Sequence, residues 1–97
     1  MQTYIVLAKL TDKGVQTIKN APQRIEQSSK DIEALGGKMV GFYTVMGKYD
    51  YVAIFEAPSD EDIMHFLMQV GIGGSVRTTT LRAFDRKELA AIIKKLT

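Results

Sequence analysis

The chain contains no cysteine. Disulfides, thiolate catalysis, iron–sulfur clusters and cysteine-ligated zinc are thereby excluded. Histidine occurs once, at His65, so no cluster of imidazoles is available to a metal. The carboxylates show no calcium-loop spacing either. Neither a metal nor a cofactor is implied. No segment approaches the ~20 apolar residues that span a bilayer, and the N-terminus lacks the charged, apolar and small-residue order of a secretory signal. A cytoplasmic protein with no membrane partner is expected. Low-complexity runs are absent, which speaks against disorder outside the last few residues.

A block of one charge is missing too. The 13 Lys and Arg are interspersed with 11 Asp and Glu, for a net charge of +2. Nucleic-acid binders concentrate their basic residues on one element. The densest group here, Arg77, Arg82, Arg86 and Lys87, is dispersed, and no helix-turn-helix segment accompanies it. No nucleic-acid partner is expected.

What is present is ordinary globular material. The 97 residues are 45% hydrophobic and 25% charged, which predicts one domain over residues 1–97. A core of this size is modest, and oligomerisation is a common way to enlarge it.

Gln2 to Leu10 reads as a strand with apolar residues on both faces: Tyr4, Val6, Ala8 and Leu10 on one, Ile5 and Leu7 on the other. Thr11 can cap a short helical turn over Asp12 to Lys19. Asn20-Ala21-Pro22 marks a fresh helix start, since proline is tolerated in a first turn. Ile18, Ile25, Ile32 and Leu35 form its apolar stripe, and Gly36-Gly37 ends it. Lys38 to Met46 and Tyr49 to Glu56 are two further strands, joined at Gly47-Lys48 as an antiparallel hairpin. Ser59 and Asp62 cap a helix whose buried stripe is Ile63, Phe66, Leu67 and Val70. Gly71-Ile72-Gly73-Gly74 stops it. Ser75 to Phe84 is a fourth strand. Asp85 and Glu88 cap a last helix, whose Leu89, Ile92, Ile93 and Leu96 can dock on the body of the molecule.

This order is βαββαβ plus a C-terminal helix: an α+β, ferredoxin-like fold with a four-stranded antiparallel sheet. Two helices cover one sheet face and leave the other bare. Strands that are apolar on both faces call for a cover on the bare side. The expected cover is a second copy, giving a homodimer or an assembly of dimers.

With that order in place, the chain resembles the GYD domain family, of the dimeric α/β-barrel class, over essentially its whole length. The resemblance rests on Tyr4-Ile5-Val6-Leu7, Thr11-Asp12-Lys13-Gly14, Pro22, Arg24 and Gly36-Gly37. It continues through Met46-Gly47-Lys48-Tyr49-Asp50-Tyr51-Val52, Glu56-Ala57-Pro58 and, most strongly, Val76-Arg77-Thr78-Thr79-Thr80-Leu81-Arg82-Ala83-Phe84. It implies the dimeric barrel but no activity. Related barrels include amino-acid-sensing domains of transcription regulators, small monooxygenases and muconolactone-type isomerases, and a shared fold does not assign a function.

Several side chains could carry chemistry. Tyr49 and Asp50 are adjacent, so within a strand they point to opposite faces. Asp50 is either a base or ligand anchor at a sheet edge, or a cap on turn N–H groups. Arg77 shares a face with Thr79. In a buried strand it would need Asp50, Glu56 or a bound organic acid as partner. Tyr43, with Tyr49 and Tyr51, brings phenols to the hairpin, either as donors or as interface filler. His65 lacks an evident orienting partner. Gly71-Ile72-Gly73-Gly74-Ser75 follows a helix, whereas a phosphate cradle precedes one. The candidate ligand set is Tyr43, Tyr49, Asp50, Arg77 and Thr79, and the expected ligand is a small anionic metabolite. Two other functions stay open. One is a metal-free isomerase or cofactor-independent monooxygenase in which Asp50 or His65 moves a proton. The other is a purely structural or interaction module.

Overall fold

The computed structural model describes residues 1–96. Its strands are β1 (Gln2–Leu10), β2 (Lys38–Thr44), β3 (Tyr51–Ala57) and β4 (Val76–Ala83). Its helices are α1 (Asp12–Gln16), α2 (Ala21–Ala34), α3 (Asp60–Gly73) and α4 (Arg86–Lys94), with a 3-10 turn at Ile18–Asn20 before α2. The sheet is antiparallel throughout, in the order β2-β3-β1-β4. This is the predicted ferredoxin-like α+β arrangement.

The alternation of β1 and β3 sorts their side chains. Tyr4, Val6 and Ala8 from β1 and Tyr51, Ala53, Phe55 and Ala57 from β3 are buried beneath the helices. Ile32 of α2 and Ile63 and Phe66 of α3 complete the core. The Phe55 and Phe66 rings meet at 4.9 Å, tilted as aromatic pairs prefer. The other sheet face carries no helix. Ladder register places Tyr43, Val52, Leu7 and Thr79 in one row across it, and Gly41, Ile54, Ile5 and Leu81 in the next.

The capping signals act as the sequence implies. Thr11 Oγ1 accepts from Gly14 N, Ser59 Oγ accepts from Asp62 N, and Asp85 with Glu88 forms a reciprocal capping box. Gly36 ends α2 at φ 85°, and Gly74 ends α3 at φ 77°. Asn20 departs from expectation: the 3-10 turn runs straight into α2, and its side chain caps nothing.

Three further expectations are corrected. Ile18 is exposed on the 3-10 turn instead of heading the α2 stripe. The third strand begins at Tyr51, because Val45 N donates to Asp50 O and closes a wider loop. Tyr49 and Asp50 therefore belong to that loop, and strand alternation does not govern them. The C-terminal helix does not dock on the body: α4 has no buried residue, and the molecule measures 53 × 31 × 18 Å.

Candidate functional site

Four small residues leave a gap in the core. Ala8 on β1 and Ala53 on β3 lie on the covered face of the sheet, Ala21 opens α2, and Ser28 lies two turns further along that helix. Side chains this short do not fill the wedge between α2 and α3. The result is a cavity of about 220 Å³. Val6, Tyr51, Phe55 and Phe42 extend the floor, and Ile25, Leu67 and Val70 line the sides. The Phe42 and Tyr51 rings pack at 5.0 Å along one edge. Water entering the mouth meets mainly apolar walls.

The polar groups are gathered at the rim. Arg24, Gln27 and Asp31 on α2 and Gln69 on α3 are lining residues, with Ser75 and Thr78 at the start of β4. Asp31 Oδ1 accepts from Gln27 Nε2 at 2.8 Å. Arg24 Nη1 donates to both the carbonyl and the hydroxyl oxygen of Thr17, at 3.0 and 3.1 Å. The guanidinium is thus held at a fixed place on the rim, half-buried.

A second, shallower basin adjoins the first. It is lined by Lys13, Thr17, Asn20 and Gln23, and shares Arg24, Gln27, Gly73 and Ser75 with the cavity. Its charged groups are two cations, Lys13 and Arg24, and its lining holds no carboxylate. Lys13 Nζ donates to Gly73 O at 3.0 Å. Thr11 fastens the same corner, its N–H to Ser75 O and its hydroxyl to Gly74 O. Gly14 is required there: a Cβ would come within 2.1 Å of Ser75 O. An apolar chamber and a cationic antechamber therefore share one wall, and Arg24 stands in it.

The opposite end of the sheet holds a polar cluster. The buried Tyr4 hydroxyl donates to Asp60 Oδ1 and also contacts Gln2 Oε1. Burial, then the hydrogen bond to Asp60, pushes the phenol up from 10.0 to about 12. Arg82 lies over the Tyr4 and Phe84 rings, at 5.7 and 4.5 Å from their centroids.

The residues singled out from sequence lie elsewhere and apart. Tyr43 and Thr79 are exposed at opposite ends of one row on the open sheet face. Arg77 is exposed on β4, where its Nη1 donates to Gly71 O and Val76 O and reaches neither Asp50 nor Glu56. Asp50 Oδ2 accepts from Leu10 N at 2.8 Å. Tyr49 lies in the hairpin loop, beneath Lys48 Nζ at 5.8 Å. His65 is exposed on α3. None of these six lines the cavity. Among the described residues, no His, Cys, Asp and Glu group is placed to hold a metal, and no helix is long and apolar enough to cross a membrane.

In the sequence, Arg24 belongs to the polar side of its helix and to the family resemblance, with nothing to mark it as part of a site. One available signal is the pair of small residues, Ala8 and Ala53, amid large ones in otherwise apolar strands.

Comparison with known proteins adds four findings. The GYD domain model matches residues 4–93. The chain is 36% identical over 95 residues to the glutamine synthetase and cystathionine beta-lyase binding protein of Thermus thermophilus, covering 97% of this chain and 100% of that one. Among solved structures, it matches the feast or famine regulatory protein of M. tuberculosis, complexed with L-methionine, with a TM-score of 0.67 at 19% identity. That match covers 88% of this chain and 51% of the regulator, so the chain spans about half of the regulator's length, and the likeness is one of fold. A solved Thermus thermophilus protein also matches, with a TM-score of 0.55 at 26% identity, over 88% of this chain and 95% of that one.

Proposed function

The chain belongs to the GYD domain family, and from that premise we propose that it is a homo-oligomeric binding module that holds a small amphiphilic anion. The ligand is an organic acid with an apolar body. Its body fills the chamber between α2, α3 and the sheet, and its carboxylate lies in the basin beside Arg24 and Lys13. The observation that carries this reading is the shared wall: Arg24 lines both spaces. A guanidinium fixed by Thr17 is pre-organised to receive a carboxylate. Asp31 on the inner rim disfavours a second negative charge there, which selects for one acid group at one end.

Binding has a consequence for partners. The Thermus thermophilus relative is named for binding two enzymes. We propose that this chain likewise docks on a partner protein, with the ligand setting how α2 and α3 sit on the sheet. The exposed Tyr43, Thr79 and Arg77 belong in this proposal to the oligomer face. Tyr49 and Asp50 shape the hairpin beside it. Proton-transfer chemistry has less support, because neither Asp50 nor His65 lines the cavity.

The test is a thermal-shift and calorimetric screen that pairs medium-chain and aromatic carboxylic acids with their neutral amides. The acids are expected to raise Tm by several degrees and the amides to do so much less. Arg24→Gln is expected to erase that difference. Equal shifts for acids and amides, or none for either, would rule the proposal out.

A further inference from the structure

The helix α4 presents an uncovered apolar stripe. Leu89, Ile92 and Ile93 are each about half exposed, and Leu96 is 73% exposed. Leu89, Ile92 and Ile93 recur at i, i+3 and i+4, one face of the helix, and Leu96 follows just past its C-terminal cap. Such a stripe ordinarily lies against a partner surface.

Its own chain is poorly placed to supply that surface. Only Phe84 and Asp85 separate β4 from α4, and this link is pinned. The capping box fixes the first turn. Arg82 stacks on Phe84 and pairs with Glu88 at 3.7 Å. The helix leaves the sheet end in a set direction, away from the body.

One surface on the molecule complements it. Met64, Met68 and Ile72 of α3 are 49%, 60% and 87% exposed and lie i, i+4, i+8, outside the cavity lining. At 1.5 Å per residue this stripe runs about 12 Å, and Leu89 to Ile93 runs about 6 Å within α4, with Leu96 extending it past the helix end. The charges match as well. The first turn of α3 carries Asp60, Glu61 and Asp62, while α4 is flanked by Arg86, Lys87, Lys94 and Lys95. The open sheet face is a poorer seat, because Lys9, Arg77 and Lys38 outnumber Glu56 on it.

We propose that α4 is an exchanged arm, seated antiparallel on the Met64–Met68–Ile72 face of α3 in a second copy of this chain. With Ile93 opposite Met68, Lys95 falls about 8 Å along the axis from Glu61, within reach of its long side chain, and each helix end meets the opposite end of its neighbour's dipole. This inference does not depend on the cavity or its ligand.

Crosslinking tests it, since the chain has no cysteine of its own. Met68→Cys and Ile93→Cys, both at exposed positions, are made separately, mixed, and treated with a bismaleimide long enough to tolerate a one-residue error of register. The expected product is a covalent dimer with a 68–93 link by mass spectrometry, at least fivefold above either variant alone. Lys95→Glu in the Ile93→Cys chain should lower the yield severalfold, and Glu61→Lys in the other should restore it. No 68–93 link in the mixture overturns the proposal. So does a double variant that links 68 to 93 only within one chain.

Discussion

Asp50 Oδ2 accepts a hydrogen bond from the backbone N–H of Leu10 at 2.8 Å. Strand β3 begins only at Tyr51, so the β1 ladder would end with that N–H unpaired on this side. The Asp50 side chain replaces the missing carbonyl. The same residue donates its own N–H to Ala8 O and accepts from Val45 N. Asp50 thus clasps β1 to the hairpin through its carboxylate and its N–H, while its carbonyl closes the hairpin itself.

Asp50→Ala should therefore cost about 1–3 kcal/mol, the usual consequence of orphaning a partly buried backbone donor. Asp50→Asn keeps an acceptor oxygen and should recover much of that loss. Urea unfolding of both variants measures the difference. An alanine variant as stable as the parent would show that water replaces the carboxylate without loss.

The cavity predicts opposite outcomes for two neighbouring alanines. Ala53 lines it; the fully buried Ala57, four residues along the same strand face, does not. Ala53→Leu adds three carbons into empty space. At ~0.8 kcal/mol per buried CH₂ it should gain up to about 2 kcal/mol, and it should abolish any response to organic acids. Ala57→Leu enters a filled region and should lose about 1–3 kcal/mol. Thermal melts with and without ligand separate the two.

Tyr4 gives a pH dependence with a definite sign. Its folded-state pKa is about 12 against 10.0 unfolded. The native state therefore holds the phenolic proton more tightly than the unfolded chain does. The stabilisation is full below pH 10 and is lost as pH rises towards 12. The informative quantity is the parent minus Tyr4→Phe. The stability advantage of the parent over Tyr4→Phe should shrink as pH rises from about 10 towards 12. A constant difference across that range would place the Tyr4 proton outside the folding equilibrium.

How much of this is legible in the sequence depends on the distance over which each feature is encoded. Strand order, helix caps and the two-faced character of β1 and β3 are local, set by alternation and by residues such as Thr11, Ser59 and Asp85. The start of β3 differs by two residues from the sequence expectation, because closure of the hairpin depends on the Val45–Asp50 bond across the loop. The cavity is not legible, since it consists of side-chain volume that Ala8, Ala21 and Ala53 do not supply. Arg24 is one polar residue among many on α2. Its half-buried place beside Thr17, Gly73 and Ser75 arises only in the folded chain. The stripe on α4 is visible, but whether it docks on its own body or on a neighbour is not, since that depends on the direction set by Arg82 and Glu88.

The open sheet face supplies the last prediction. Ile5 lies between Ile54 and Leu81, and Leu7 between Val52 and Thr79. These side chains form a contiguous apolar surface with no helix above it, bordered by Lys9, Glu56 and Arg77. A contiguous apolar sheet face of this kind marks an interface, and the predicted cover is the same face of a second copy. Ile54 sits near the middle. Ile54→Glu would bury an unpaired carboxylate in that interface, a loss of several kcal/mol for each copy. The side chain is only partly buried within one chain, so the fold itself should survive. Light scattering at micromolar concentration should show the particle mass fall by half, while far-UV circular dichroism stays unchanged. A parent protein that already scatters as a monomer would remove the reason for a two-faced apolar sheet to pair with itself.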